Sequence, residues 1–284
     1  MREIALSMGP DQNLIGIVTE PDGSPQPLGM ILLNAGVVHR IGPHRTSVKI
    51  ARNLARQGFA TLRFDISGVG DSRPPHDALP SRQQAVQDIK IAMDYLQSKY
   101  GVTRFGLYGI CAGAMNGYAA ALADERVAGL FMFDGYAFST RKARRIRLAA
   151  RWRARSVRQT LEALKARIRR FASAPFKVRT EAESVVPVAP SSHPTKERFA
   201  ADLQALADRG ARVVSLYSGS VFDEYSYAEQ MNDAFKGHSF LAQLRCLYQP
   251  DVDHLVTPLD AQRQLIAMIG EWAQTALVAG AARS

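Results

Sequence analysis

Three side chains in this sequence stand in an order suited to nucleophilic acyl chemistry: Cys111, Asp223 and His254. A thiol becomes a strong nucleophile once it is deprotonated. A histidine within hydrogen-bond reach can take its proton and return it to a leaving group, and a carboxylate holds that imidazole in the right tautomer. Cys111 is the centre of Gly109-Ile-Cys-Ala-Gly113, between an apolar run ending at Tyr108 and a small-residue stretch over 114–122. This pattern predicts a strand, a tight turn and a helix. The middle side chain then projects at a helix N-terminus, whose partial positive charge favours a thiolate. His254, closing Gln249-Pro-Asp-Val-Asp-His254, is the expected base and later acid, and Asp223, within 217–225, is the expected orienting carboxylate. Asp134 and Glu224 are alternative carboxylates, and His39 and His44 are alternative bases.

Attack on a carbonyl also needs two backbone amides to receive the oxyanion. Ala112, directly after the nucleophile, is one; the other is expected in the loop 34–39, at Val37 or Gly36. The loop continues through His39, Arg40 and Arg45, which suit either a substrate carboxylate or phosphate or ordinary ion pairs. The glycine turn over 65–72 lacks the Lys-Ser/Thr ending of a phosphate loop and reads as architecture. Cys111 and Cys246 are far apart and show no metal-ligand spacing, so neither metal nor cofactor is expected.

The elements that must hold these groups alternate. Strand-like runs at 4–8, 14–19, 29–33, 59–64, 104–108, 127–133, 213–217 and 242–248 are interleaved with helical spacing at 46–57, 81–98, 114–122, 196–209 and 258–277. Alternation of this kind predicts an α/β fold with a mostly parallel eight-stranded sheet, the first two strands forming a hairpin or antiparallel pair. Between the sixth and seventh strands it breaks: Val157, Leu161, Leu164, Ile168 and Phe171 recur at helical spacing among arginines and lysines, which predicts an amphipathic basic helix. The expected organisation is a core over 1–136, a basic helical lid over 137–194 and the rest of the core over 195–284.

The net charge of +10 is concentrated in one place. Residues 141–179 hold fifteen Lys or Arg and a single acid, Glu162, leaving a mildly acidic remainder. The segment suits an acidic partner, either an acyl carrier protein or an anionic membrane surface, and equally suits a solvated helix face whose apolar stripe covers the pocket. The absence of a nucleic-acid-binding motif argues against nucleic acid. With no signal-peptide core, no apolar run long enough to span a bilayer and no disulfide pattern, a cytoplasmic location is expected.

The Asn34-Ala-Gly36 loop, Arg63-Phe-Asp-x-x-Gly-x-Gly-Asp-Ser72, the cysteine turn and Asp253-His254 together resemble the α/β-hydrolase superfamily over about residues 3–277. His39-Arg-Ile-Gly-Pro-His-Arg45 followed by a cysteine elbow is similar to the exosortase A system-associated hydrolases. The resemblance implies helices on both faces of the sheet and a lid inserted after strand six. Cysteine stands where serine is commoner in the superfamily. Dienelactone hydrolases and polyhydroxyalkanoate synthases also carry G-x-C-x-G, so both hydrolysis and acyl transfer are compatible with it. The expected activity is a cysteine-nucleophile acyl hydrolase, an esterase or thioesterase acting through an acyl-enzyme thioester. The alternatives are acyl transfer from coenzyme A or an acyl carrier protein, and a non-catalytic binding role for the fold.

Overall fold

Eight strands form one sheet in the order β1-β2-β4-β3-β5-β6-β7-β8 in a computed structural model that describes residues 1–77, 79–154 and 193–278. β1 (Glu3–Met8) and β2 (Leu14–Thr19) make an antiparallel hairpin, and β2 also pairs antiparallel with β4 (Ala60–Phe64). From β4 onward, through β3 (Leu28–Leu32), β5 (Arg104–Ile110), β6 (Val127–Phe133), β7 (Arg212–Ser218) and β8 (Arg245–Gln249), neighbours are parallel. β3, β4 and β6 are buried throughout, as expected of strands covered on both faces. The eighth strand begins later than the spacing suggests, because 239–242 form a 3₁₀ turn that precedes it.

Alternate side chains feed two cores. On one face α2 (Ser81–Tyr100), α3 (Ala112–Ala123) and α5 (Lys196–Asp208) cover Ile31, Leu33, Phe105 and Leu107. On the other, α1 (Thr46–Arg56) and α7 (Leu259–Glu271) cover Met30, Leu32, Tyr108 and Ile110. The strand order reverses between β3 and β5, which opens a crevice at their carboxyl ends, the usual ligand position in such sheets. Cys111 and the loop after β3 lie at that point.

After β6 comes α4 (Arg141–Ala154), a basic helix not distinguished in the sequence from the rest of the insertion. It is anchored by buried Ala143 and by Arg147, which donates to the Asp223 carbonyl at 2.6 Å and to Ser139 Oγ at 2.6 Å. The amphipathic helix expected over 157–171 lies outside the described residues, as does most of the proposed lid. A short helix α6 (Gln230–Ala234) lies between β7 and β8. No described helix is long and apolar enough to cross a membrane.

Candidate active site

The chain turns sharply after β5. Cys111 takes φ 56° and ψ −120°, a positive-φ conformation disfavoured for a residue with a side chain, and caps α3. Its amide donates to the Phe133 carbonyl at 2.9 Å, which ties the turn to the end of β6. The flanking glycines are required by contact. A Cβ on Gly109 would lie 2.3 Å from the Gly113 carbonyl carbon, and one on Gly113 would lie 2.3 Å from the Asn34 carbonyl oxygen. Only two unsubstituted positions allow β5, α3 and the loop after β3 to converge here.

His254 reaches the thiol from the loop after β8. That loop is drawn inward where Gly219 donates its amide to the Val252 carbonyl at 2.8 Å, at a spot where a Cβ would strike the Pro250 carbonyl. The His254 amide donates to Ser220 Oγ at 2.9 Å. Its Nδ1 lies 2.7 Å from Asp134 Oδ2, and the ring also interacts with the Cys111 thiol. The Asp134 hydrogen bond, with that of Cys111 adding to it, raises the imidazole to about 10 against the opposing effect of partial burial. In turn the His254 hydrogen bond holds the Cys111 thiol below its ordinary range, opposed by burial and aided by the Ala112 amide. Both shifts favour a thiolate–imidazolium pair.

The carboxylate beside the histidine is therefore Asp134, and the expectation of Asp223 is corrected. Asp134 follows β6 directly, takes φ 49° and is fully buried at its side chain. Oδ1 accepts the Ser218 amide at 2.7 Å and Oδ2 accepts the Ser218 hydroxyl at 2.6 Å, so adjacent β7 fixes its orientation. Asp223 is carried past the site by the 3₁₀ turn Gly219–Val221 and ends 70% exposed, 3.3 Å from Arg151. Glu224 is exposed as well. Ser218 and Ser220 had no sequence signal beyond following a strand.

The expected oxyanion loop is a turn, closed by the Val38 amide donating to the Ala35 carbonyl at 3.0 Å, with Gly36 at φ 59° and the Val37 side chain exposed. Among the described residues, neither the Gly36 nor the Val37 amide donates to a backbone carbonyl outside regular elements. Asn34 braces the turn. Its Nδ2 donates to the Val38 carbonyl at 2.8 Å and to Asp65 Oδ1 at 2.9 Å, while its Oδ1 accepts the Ile66 amide at 2.9 Å.

Substrate binding by His39 and Arg40 is also corrected. Arg40 donates through its amide to Asp65 Oδ1 at 2.6 Å and through Nη1 to Asp65 and Asp71, the latter at 2.7 Å. His39 Nε2 lies 3.2 Å from the same Asp71. The partners lie some thirty residues downstream, in the glycine turn after β4. They also explain why His39, Asp65 and Asp71 cluster as metal ligands would: the Arg40 guanidinium already bonds both carboxylates. Arg45 is exposed at the start of α1 and makes no ion pair with another described residue, and His44 Nε2 lies 3.3 Å from Thr257 Oγ1 rather than beside the thiol.

A mostly parallel sheet of this order, with a residue at a strained elbow after β5 and a buried carboxylate–histidine pair at the neighbouring strand ends, defines an α/β hydrolase. The Hydrolase_4 family model, described as serine aminopeptidase S33, matches residues 29–214, and the chain belongs to that family of enzymes. Over 85 residues the chain is 36% identical to the uncharacterized protein YcjY of Escherichia coli K12, a match covering 29% of this chain and only 28% of that relative. Three solved structures share the fold. An esterase from Pyrococcus furiosus has a TM-score of 0.60 and 13% identity, covering 97% of this chain and 92% of its own. A dienelactone hydrolase from Anabaena variabilis has 0.57 and 15%, covering 97% and 98%. An α/β serine hydrolase without lid from Xanthomonas campestris has 0.53 and 15%, covering 100% and 95%.

Proposed function

We propose that this enzyme is a cysteine-nucleophile acyl hydrolase, an esterase or thioesterase in which Cys111, His254 and Asp134 act in sequence. The observation that carries the reading is the continuous relay from a buried carboxylate, through an imidazole, to a thiol at a strained elbow. Esterases and a dienelactone hydrolase among the structural neighbours agree with it at the level of fold. The cysteine in place of serine also fits the likeness to cysteine-elbow hydrolases.

The Cys111 thiolate attacks the carbonyl carbon of an ester or thioester, and the carbonyl electron pair moves onto oxygen. The amides of Ala112 and of Val37 or Gly36 receive that oxyanion. As the tetrahedral adduct collapses, the bond to the leaving alkoxide or thiolate breaks and His254 supplies its proton. Neutral His254 then removes a proton from water as the water attacks the enzyme thioester, and the thiolate departs, restoring the ion pair. Asp134 keeps Nδ1 protonated throughout.

The test is intact-protein mass spectrometry after brief exposure to a panel of acyl thioesters and activated esters, for wild type and Cys111→Ala. The expected result is a mass increase equal to the acyl group that the variant does not show. Decay of the adduct in water identifies a hydrolase; decay only with an added alcohol, amine or thiol identifies an acyltransferase. Turnover that persists in Cys111→Ala would overturn the assignment.

A further inference from the structure

We propose that the outer face of α4 docks the enzyme onto an anionic lipid surface, with the edge of the sheet that carries Cys111 turned towards the bilayer. α4 contains seven Lys or Arg in fourteen residues and no acid. Its inner side is set by Ala143, Ile146, Arg147 and Ala150, which are buried or half-buried. On the opposite side, at helical spacing, stand Arg141, Arg145, Leu148 and Trp152. Leu148 is 58% and Trp152 60% exposed, a leucine and an indole held outward one turn apart. Arg141, Arg144 and Arg145 are exposed, and none forms an ion pair with another described residue.

A solvated basic helix has no use for an outward tryptophan and leucine. Arginines flanking such a pair are the pattern of a helix lying in a membrane interface. There the indole sits at headgroup depth, and the guanidinium groups meet lipid phosphates. Charge complementarity alone also fits an acidic protein. The wider distribution of apolar side chains favours the bilayer. Of eight large apolar side chains exposed among the described residues, six are Val37, Ile41, Leu148, Trp152, Leu255 and Leu259. They come from the loops or helices after β3, β6 and β8, all at the carboxyl edge of the sheet beside Cys111, Asp134 and His254. Apolar residues scattered over three separate segments need a partner that adapts to their contour. A fluid bilayer does so; a folded protein would need a matching relief. This docking stands independently of whether Cys111 is the nucleophile.

The experiment is flotation of the full chain with vesicles of phosphatidylcholine alone, or of phosphatidylcholine doped with phosphatidylglycerol, at low and high salt. Tryptophan emission is recorded in parallel. The chain has two tryptophans, and Trp272 is 2% exposed, so a vesicle-induced blue shift reports Trp152. We expect flotation with the anionic vesicles only, weakened by salt and accompanied by that blue shift. Arg141→Gln/Arg145→Gln should weaken binding about fivefold per arginine. Leu148→Ser/Trp152→Ser should abolish the blue shift and reduce flotation, with the thermal midpoint of both variants unchanged. Absence of flotation, or flotation equal in wild type and both variants, overturns the proposal. Polyglutamate binding that matches vesicle binding and brings no blue shift would instead assign the face to an acidic protein.

Discussion

Replacing Asp134 by Asn tests the relay at the point where sequence and structure differ. Oδ1 of Asp134 accepts a backbone amide, that of Ser218, which can act only as a donor. The carbonyl oxygen of an asparagine must therefore stay at that position, and its NH₂ group turns towards His254 Nδ1. Nδ1 then becomes an acceptor, the ring proton moves to Nε2, and the imidazole can no longer take a proton from the thiol. His254, now at about 10, returns towards its ordinary value near 6.5. Without an imidazolium neighbour, Cys111 loses the interaction that holds its thiol below the ordinary range, so a smaller share of it is thiolate at neutral pH. Loss of general-base action removes a further factor of about 10². We therefore expect kcat/KM to fall by at least about 10²-fold, with the fold intact. The direct assay is the rate of Cys111 alkylation by iodoacetamide against pH. Reactivity should rise at lower pH in wild type, where His254 holds the thiol below its ordinary range, than in Asp134→Asn. The control is Asp223→Asn, which removes only an exposed ion pair and should stay within about twofold of wild type. An Asp134→Asn enzyme with near-normal turnover, or a larger loss in Asp223→Asn, would refute this account.

Other consequences can be measured separately. Gly113→Ala should destabilise the protein by about 1–3 kcal/mol in urea unfolding, because its Cβ would meet the Asn34 carbonyl at 2.3 Å and neither backbone can yield freely. Asp65→Asn leaves the Arg40 guanidinium, only 11% exposed, without its buried carboxylate. The cost should be about 3–5 kcal/mol by the same assay, with a rise in KM or loss of kcat as the loop 34–38 loosens. The His254 imidazole lies above its unfolded value, so its contribution to stability is complete below about pH 6.5 and is lost as pH rises towards about 10. The thermal midpoint of wild type should therefore decline more over that interval than that of His254→Gln, and parallel curves would contradict the pairing.

The sequence made Cys111 and His254 legible because each lies next to an unmistakable element: a glycine-framed turn for one, the end of the last strand for the other. The carboxylate was harder. Asp134 and Asp223 both follow strands, and only the spatial path of 219–221 reveals that one turns inward and the other is delivered to arginines of α4. His39 and Arg40 looked available for substrate because their partners, Asp65 and Asp71, lie in a glycine turn that reads as mere architecture. Long-range pairing of this kind leaves no periodicity in a linear chain. The strands and helices, by contrast, are written locally, as continuous apolar runs or as apolar residues every third to fourth position, and nearly all were located from that.

The positive-φ backbone of Cys111, Asp134 and, two residues beyond His254, Val256 has a historical consequence. Each of these positions would be conformationally easier for glycine. Selection for stability and selection for turnover therefore pull in opposite directions at these places. A lineage released from the need to turn over substrate should drift first at the elbow and at Asp134, gaining robustness as it loses chemistry. Descendants of this fold that have become binding proteins should carry glycine at these positions while keeping Gly109 and Gly113, whose contacts belong to the scaffold.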